Sequence, residues 1–115
     1  MKKEKNIAVV GLGYVGLSLA VNFGKHLTTY GYDIAEEKVD CVTNRKDTTG
    51  QISDADFCAA SRLTAGVDPA PIGQADVVII TVPTPVDLAK KPDFRPLLDA
   101  SKTVGANIKV GCIVV

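Results

Sequence analysis

Short, unbroken runs of branched apolar residues alternate along this chain with longer segments in which apolar positions recur about every fourth residue. Residues 6–10 (NIAVV), closed by Gly11, suit a strand covered on both faces, as in a parallel sheet. From 14 to about 25 the period lengthens. Val15, Leu19 and Phe23 form one stripe and Ser18, Asn22 and Lys25 another, which predicts an amphipathic helix. Residues 28–33 (TTYGYD) are β-branched and aromatic and predict a second strand, followed by a helix over 35–44. A polar, aperiodic loop over 45–54 leads to a short helix over 55–62 and a brief strand at Leu63 and Thr64.

The run 77–82 (VVIITV) carries the strongest strand pattern in the chain, and Pro83 and Pro85 stop it. A polar loop then reaches Asp93, which can cap a helix whose apolar face is Phe94, Leu97 and Leu98. Pro96 is tolerated there because it falls in the first turn. Gly105 and Asn107 mark the end of this helix, and 112–115 (CIVV) is again strand-like. The sequence stops inside that apolar run with no polar tail. We therefore expect a domain that is truncated at its C-terminal edge, and a last strand prone to self-association.

The turn between the first strand and the first helix reads Gly11-Leu12-Gly13-Tyr14-Val15-Gly16, a GxGxxG pattern. Each glycine has a task if a dinucleotide binds. Gly11 permits the tight turn, Gly13 removes the Cβ that would hold the backbone off a pyrophosphate, and Gly16 lets the helix pack on the strand. The helix start offers N–H groups and the positive end of its dipole to phosphates. Glycine-rich turns also occur for structural reasons alone. Here, however, a strand precedes, a helix follows, and a carboxylate, Asp33, ends the second strand about twenty residues on. Asp33 is expected to accept from the adenosine ribose hydroxyls and to repel the extra phosphate of NADP, so NAD is the cofactor expected. The fold class that follows is α/β, a doubly wound parallel sheet of Rossmann type in strand order 3-2-1-4-5, with residues 1–115 forming one incomplete domain.

Composition narrows the function further. Thirteen Lys and Arg balance thirteen Asp and Glu, and the few aromatics form no stacking platform, so no nucleic-acid partner is expected. Cys41, Cys58 and Cys112 match no metal-ligand spacing and read as reduced, partly buried small residues. They fit a reducing, cytoplasmic setting, and neither a metal nor a membrane partner is expected. The lone His26 reads as a surface cation at a helix C-terminus. The start MKKEKN, followed by an apolar run and Ser18 and Ala20, imitates a secretory signal. Glu4 and the three glycines argue against it, because they fit neither a positive leader nor a continuous apolar segment.

The segments IAVVGLGYVGLSLAVNFGK, GYDIAEEKV, VVIITVPTPVD and KPDFRPLLDASKTVG resemble the UDP-glucose/GDP-mannose dehydrogenase family over nearly the whole chain. Within it they are most similar to the UDP-N-acetylhexosamine 6-dehydrogenases of bacterial surface-polysaccharide synthesis. The resemblance implies oxidation of a UDP-sugar C6 alcohol to a carboxylate with NAD. It also implies NAD contacts from the glycine turn with Leu12, Tyr14 and Val15, from Asp33 and Lys38, and from Pro83 and Thr84 in the TVPTP segment. The family's catalytic residues belong to later segments, so no catalytic residue is assigned here, and this chain is expected to bind NAD without turnover. The alternative is a free-standing, non-catalytic Rossmann module that senses NAD.

Overall fold

The computed structural model describes residues 5–46, 50, 52–81, 95–108 and 113–114, with backbone alone for 95–97 and 113. Among these residues the chain runs β1 (Ile7–Val10), α1 (Tyr14–Gly24), β2 (Thr29–Tyr32), α2 (Glu36–Thr43), α3 (Asp54–Ala59), β3 (Leu63–Gly66), β4 (Val77–Ile80), α4 (Arg95–Asn107) and β5 (Ile113–Val114). A 3-10 turn at Ala70–Gln74, between β3 and β4, was not expected from the pattern. The strands pair parallel in the order β3-β2-β1-β4-β5, the doubly wound arrangement anticipated above.

Strand geometry sends successive side chains to opposite faces, and the two halves of the core follow from that alternation. Ile7 and Val9 of β1 enter one cluster with Leu12, Leu17, Ala20, Val21, Val39, Val42, Phe57 and Leu63, beneath α1, α2 and α3. Ala8 and Val10 enter the other, with Tyr32, Ile72, Val78, Ala100 and Val104, beneath α4 and the 3-10 turn. Because β1 is central, all four of its residues are buried, and each face of the sheet is covered by helix. Register follows directly: Ile7 lies opposite Thr29 of β2 and opposite Val77 of β4.

Two helix faces depart from expectation. Val15 is 65% exposed, and Leu19 and Phe23 are only half-buried. The face α1 turns to the sheet is Gly16, Leu17, Ala20, Val21 and Gly24. The reason is distance. A Cβ on Gly24 would stand 2.6 Å from the Leu63 Cβ, so the helix approaches the sheet on its smallest residues. In α4, Leu98 is 57% exposed, while Ala100 and Val104, one turn apart, are buried. Phe94 and the capping residue Asp93 lie outside the described residues. The third helix starts at Asp54, not Ala55, because Ser53 caps it by accepting from the Asp56 N–H at 3.2 Å. It ends at Ala59, three residues short of the expected Arg62.

Candidate functional site

In a parallel sheet every helix begins at the carboxyl ends of the strands, and the glycine turn sits there, between β1 and α1. Gly11 has φ +98°, a left-handed conformation that a Cβ would strain. Gly16 answers a different demand. A Cβ at this position would collide with the Gly11 carbonyl oxygen and the Thr81 Oγ1, and would lie 2.9 Å from the Gly11 carbonyl carbon. Its role of bringing the helix onto the strand is thus carried by identified atoms.

Gly13 is unlike both. Its φ of −75° is open to any residue, and a Cβ there would meet nothing within 4 Å among the described residues. Among the described residues nothing demands glycine at 13, and none occupies the place its Cβ would take. Gly13 is also the N-cap of α1 and has no side chain to accept from the first-turn amides. No acidic residue stands in that turn, so the positive end of the helix dipole is left unneutralised. The starts of α2 and α3 differ, although α4 also has no acidic residue in its first turn. Two carboxylates, Glu36 and Glu37, open α2, and α3 combines Asp54 and Asp56 with its Ser53 cap.

Neighbouring strands hold the turn in place. From β2, the Tyr32 carbonyl accepts from the Gly11 N–H at 2.8 Å. Asp33, half-buried at the end of β2, accepts from the Leu12 N–H through Oδ2 at 2.8 Å and from the Ala35 N–H through Oδ1 at 2.9 Å. The carboxylate is thereby fixed beside the glycine turn, with further lone pairs on each oxygen. From β4, the Thr81 N–H donates to the Val10 carbonyl at 2.8 Å, and its hydroxyl donates to the Gly11 carbonyl at 2.8 Å.

Of the residues expected at the site, Gly11, Leu12, Gly16 and Asp33 are drawn together by these contacts, and Gly13 lies in the turn they form. Tyr14 and Val15 are exposed in the first turn of α1, and Lys38 is exposed in the first turn of α2. Pro83 and Thr84 lie outside the described residues. The Thr81 hydroxyl was not foreseen. The local signal for it was a hydroxyl residue directly before the Val-Pro that closes a central strand, but its partner is seventy residues away in sequence.

The cysteines need one correction. Cys41 is half-buried as expected, but Cys58 is exposed, because Phe57 takes the inward position of the short α3. Cys112 lies outside the described residues. His26 is exposed just past α1. Among the described residues no group of three or more His, Cys, Asp or Glu could hold a metal ion, and no helix is long and apolar enough to cross a membrane.

Residues 5–115 match the model of the UDP-glucose/GDP-mannose dehydrogenase family, NAD binding domain. The chain is 42% identical to a UDP-N-acetyl-D-glucosamine 6-dehydrogenase of Pseudomonas aeruginosa, over 98% of its own length and 27% of the relative's. It is 39% identical to the enzyme of the same name from Salmonella typhi, over 97% of its length and 26% of that protein's. Among solved structures, the UDP-D-ManNAc dehydrogenase of Pyrococcus horikoshii superposes with a TM-score of 0.84 at 28% identity, covering 95% of this chain and 27% of that one. The chain thus spans about a quarter of the length of the relatives it matches.

Proposed function

The chain belongs to the UDP-glucose/GDP-mannose dehydrogenase family, as its NAD-binding domain, and we propose that it supplies the cofactor half of a nucleotide-sugar 6-dehydrogenase acting on a UDP-sugar. The observation that carries this reading is the pairing of an unobstructed Gly13 at an uncapped helix start with Asp33 fixed beside it. A pyrophosphate fits the first and a ribose diol the second, and they stand at one end of one turn.

In this reading the backbone of 11–16 cradles the pyrophosphate and the dipole of α1 offsets its charge. Asp33 accepts from the adenosine ribose hydroxyls with lone pairs left over from its two backbone bonds, and its charge disfavours a 2′-phosphate. Lys38, Pro83 and Thr84 complete the cofactor contacts. NAD, when bound, supplies the acceptor for hydride leaving the sugar C6, so the oxidation proceeds from alcohol toward uronic acid. The 115-residue stretch alone binds NAD without turning over a UDP-sugar. In support, Cys41 and Cys58 stand on α2 and α3 and not on the segments that build the turn. Self-association belongs to the same reading and is checked by sedimentation.

The test is calorimetric titration of the purified chain with NAD and NADP, beside the Asp33→Ala variant. NAD should bind the parent chain in preference to NADP, and the variant should lose NAD affinity or its preference. A folded chain that takes up neither nucleotide would remove the basis for the proposal.

A further inference from the structure

The Gly11–Leu12 peptide group is gripped at both of its polar ends by side chains from two different strands. Its carbonyl oxygen, on Gly11, accepts the Thr81 hydroxyl at 2.8 Å from the end of β4. Its N–H, on Leu12, donates to the Asp33 Oδ2 at 2.8 Å at the end of β2. One rigid, planar unit therefore connects a threonine hydroxyl to the carboxylate that faces the cofactor. We infer that Thr81 is a positioning residue, which sets the plane of the Gly11–Leu12 peptide and through it the orientation of Asp33. The inference rests on the NAD-binding reading above.

Three observations favour orientation over simple space-filling. The hydroxyl has a single proton, and its shorter contact is with Gly11, at 2.8 Å, while the Val10 oxygen at 3.2 Å already receives the Thr81 N–H. The acceptor belongs to Gly11, whose φ of +98° is a left-handed conformation that only glycine adopts readily, so this bond holds the one peptide unit whose geometry sets the turn. Finally, the missing Cβ of Gly16 leaves room for this bond, since any side chain there would occupy the place of the Thr81 Oγ1 and the Gly11 oxygen. Gly16 and Thr81 thus act as a pair, one making the space and the other spanning it.

Thr81→Val keeps the shape and removes the donor, whereas Thr81→Ser keeps the donor. With the peptide released on its carbonyl side, the Leu12 N–H that holds the Asp33 Oδ2 is free to turn while the Ala35 N–H still holds Oδ1, and affinity for NAD falls about three- to tenfold, the scale of one lost hydrogen bond. Affinity for NADP changes less, so the NAD/NADP preference narrows. A merely structural role for Thr81 would lower both affinities together.

The experiment is a double-mutant cycle with Thr81→Val and Asp33→Ala, reading NAD and NADP dissociation constants by calorimetry on samples shown to be folded, with Thr81→Ser as the restoring variant. Amide hydrogen exchange at Leu12 is followed in parallel. The inference predicts a narrowed preference in Thr81→Val, recovery in Thr81→Ser, no further loss when Thr81→Val is added to Asp33→Ala, and faster Leu12 exchange. Unchanged preference, or full additivity of the two substitutions, would overturn it. If the parent chain binds no NAD, the functional reading fails on its own, and the peptide grip is judged on exchange alone. A Leu12 amide equally protected in Thr81→Val and the parent would then overturn it.

Discussion

Alanine at Gly16 and alanine at Gly13 should separate the two reasons for glycine in one motif. At Gly16 the new methyl meets the backbone oxygen of Gly11, which has no flexible end to swing aside, and the Thr81 hydroxyl, which can move only by giving up its bond to that oxygen. Overpacking of this kind costs about 1–3 kcal/mol, and the rigid partner argues for the upper value. The lost hydroxyl bond adds about 1 kcal/mol. Replacing glycine by alanine inside a helix returns about 1 kcal/mol. The net loss is about 3 kcal/mol, or roughly 12 °C in melting temperature for a domain of this size.

At Gly13 the account differs in every term. No described atom lies within 4 Å of the new Cβ, and the extended backbone at φ −75° accepts alanine. Alanine is a poorer N-cap than glycine by about 0.7 kcal/mol, and its smaller unfolded-state entropy offsets a similar amount. Stability should therefore stay within about 0.5 kcal/mol of the parent. NAD affinity should instead fall at least about tenfold, because the methyl occupies the approach to the pyrophosphate. Thermal melts and calorimetric NAD titrations on both variants give the comparison. The reasoning is refuted if Gly13→Ala melts as low as Gly16→Ala, or if it binds NAD as the parent chain does.

Three further outcomes follow from other parts of the fold. Arg45, at φ +57° just past α2, donates to the Val42 and Leu63 carbonyls at 3.1 and 2.7 Å. Arg45→Ala loses both bonds and keeps the backbone strain, so chemical denaturation should show it less stable than Arg45→Gly by about 1 kcal/mol. The Lys25 ammonium, 3.0 Å from Asp56, and the Ser53 hydroxyl hold the Asp56 carboxyl below its ordinary value of 3.8. A depressed carboxylate stabilises above that ordinary value and ceases to as pH falls through the folded one, so Asp56→Asn should lower stability at neutral pH and flatten its acid limb, the variant and parent converging in acid. Burial, with the nearby Asp68 charge, raises the Tyr30 phenol above 10.0. Stability tied to it is present below 10.0 and declines as pH climbs through the raised value. In an ultraviolet titration Tyr30→Phe should remove a phenol that ionises late, and an unchanged alkaline limb would count against this assignment.

The strands were the most readable part of the chain because β1 and β4 are covered on both faces, and burial on both faces demands the continuous branched runs that the pattern shows. Helix faces were harder to read, for a reason visible in α1. Nearly every position there is apolar or small, so a stripe through Val15, Leu19 and Phe23 looks as good as the true one. Close approach to the sheet decides the matter, in favour of Gly16, Ala20 and Gly24. The fourfold spacing of those three small residues was the available signal. Asp33 could be read from its place after a β-run, because its partner Leu12 lies in a motif with its own signature. Thr81 could not, because its meaning depends on which carbonyl lies beside it in space, and no local pattern encodes that.

Among the described residues the two ends of the sheet are held by different chemistry. At the amino ends long side chains and paired backbone groups fill the openings. Arg62 donates to the His26 carbonyl and the Thr28 hydroxyl, Arg45 to the first carbonyl of β3, and Asp76 accepts from the Asn6 N–H. Lys25 meets Asp56 at the same end, where α1 finishes. Among the described residues these contacts pair long side chains with carbonyls, a hydroxyl and a carboxylate. At the carboxyl ends of β1, β2 and β4 the chain is held by the shortest available groups, a threonine hydroxyl, one carboxylate and backbone amides, while Gly13 stays open. On the NAD-binding reading, an arginine side chain laid over the start of α1 would compete with the anion for the helix N-terminus. At the carboxyl end, Gly16→Ala therefore strikes the fold through the Gly11 carbonyl, whereas Gly13→Ala leaves the fold nearly untouched and bears on binding alone.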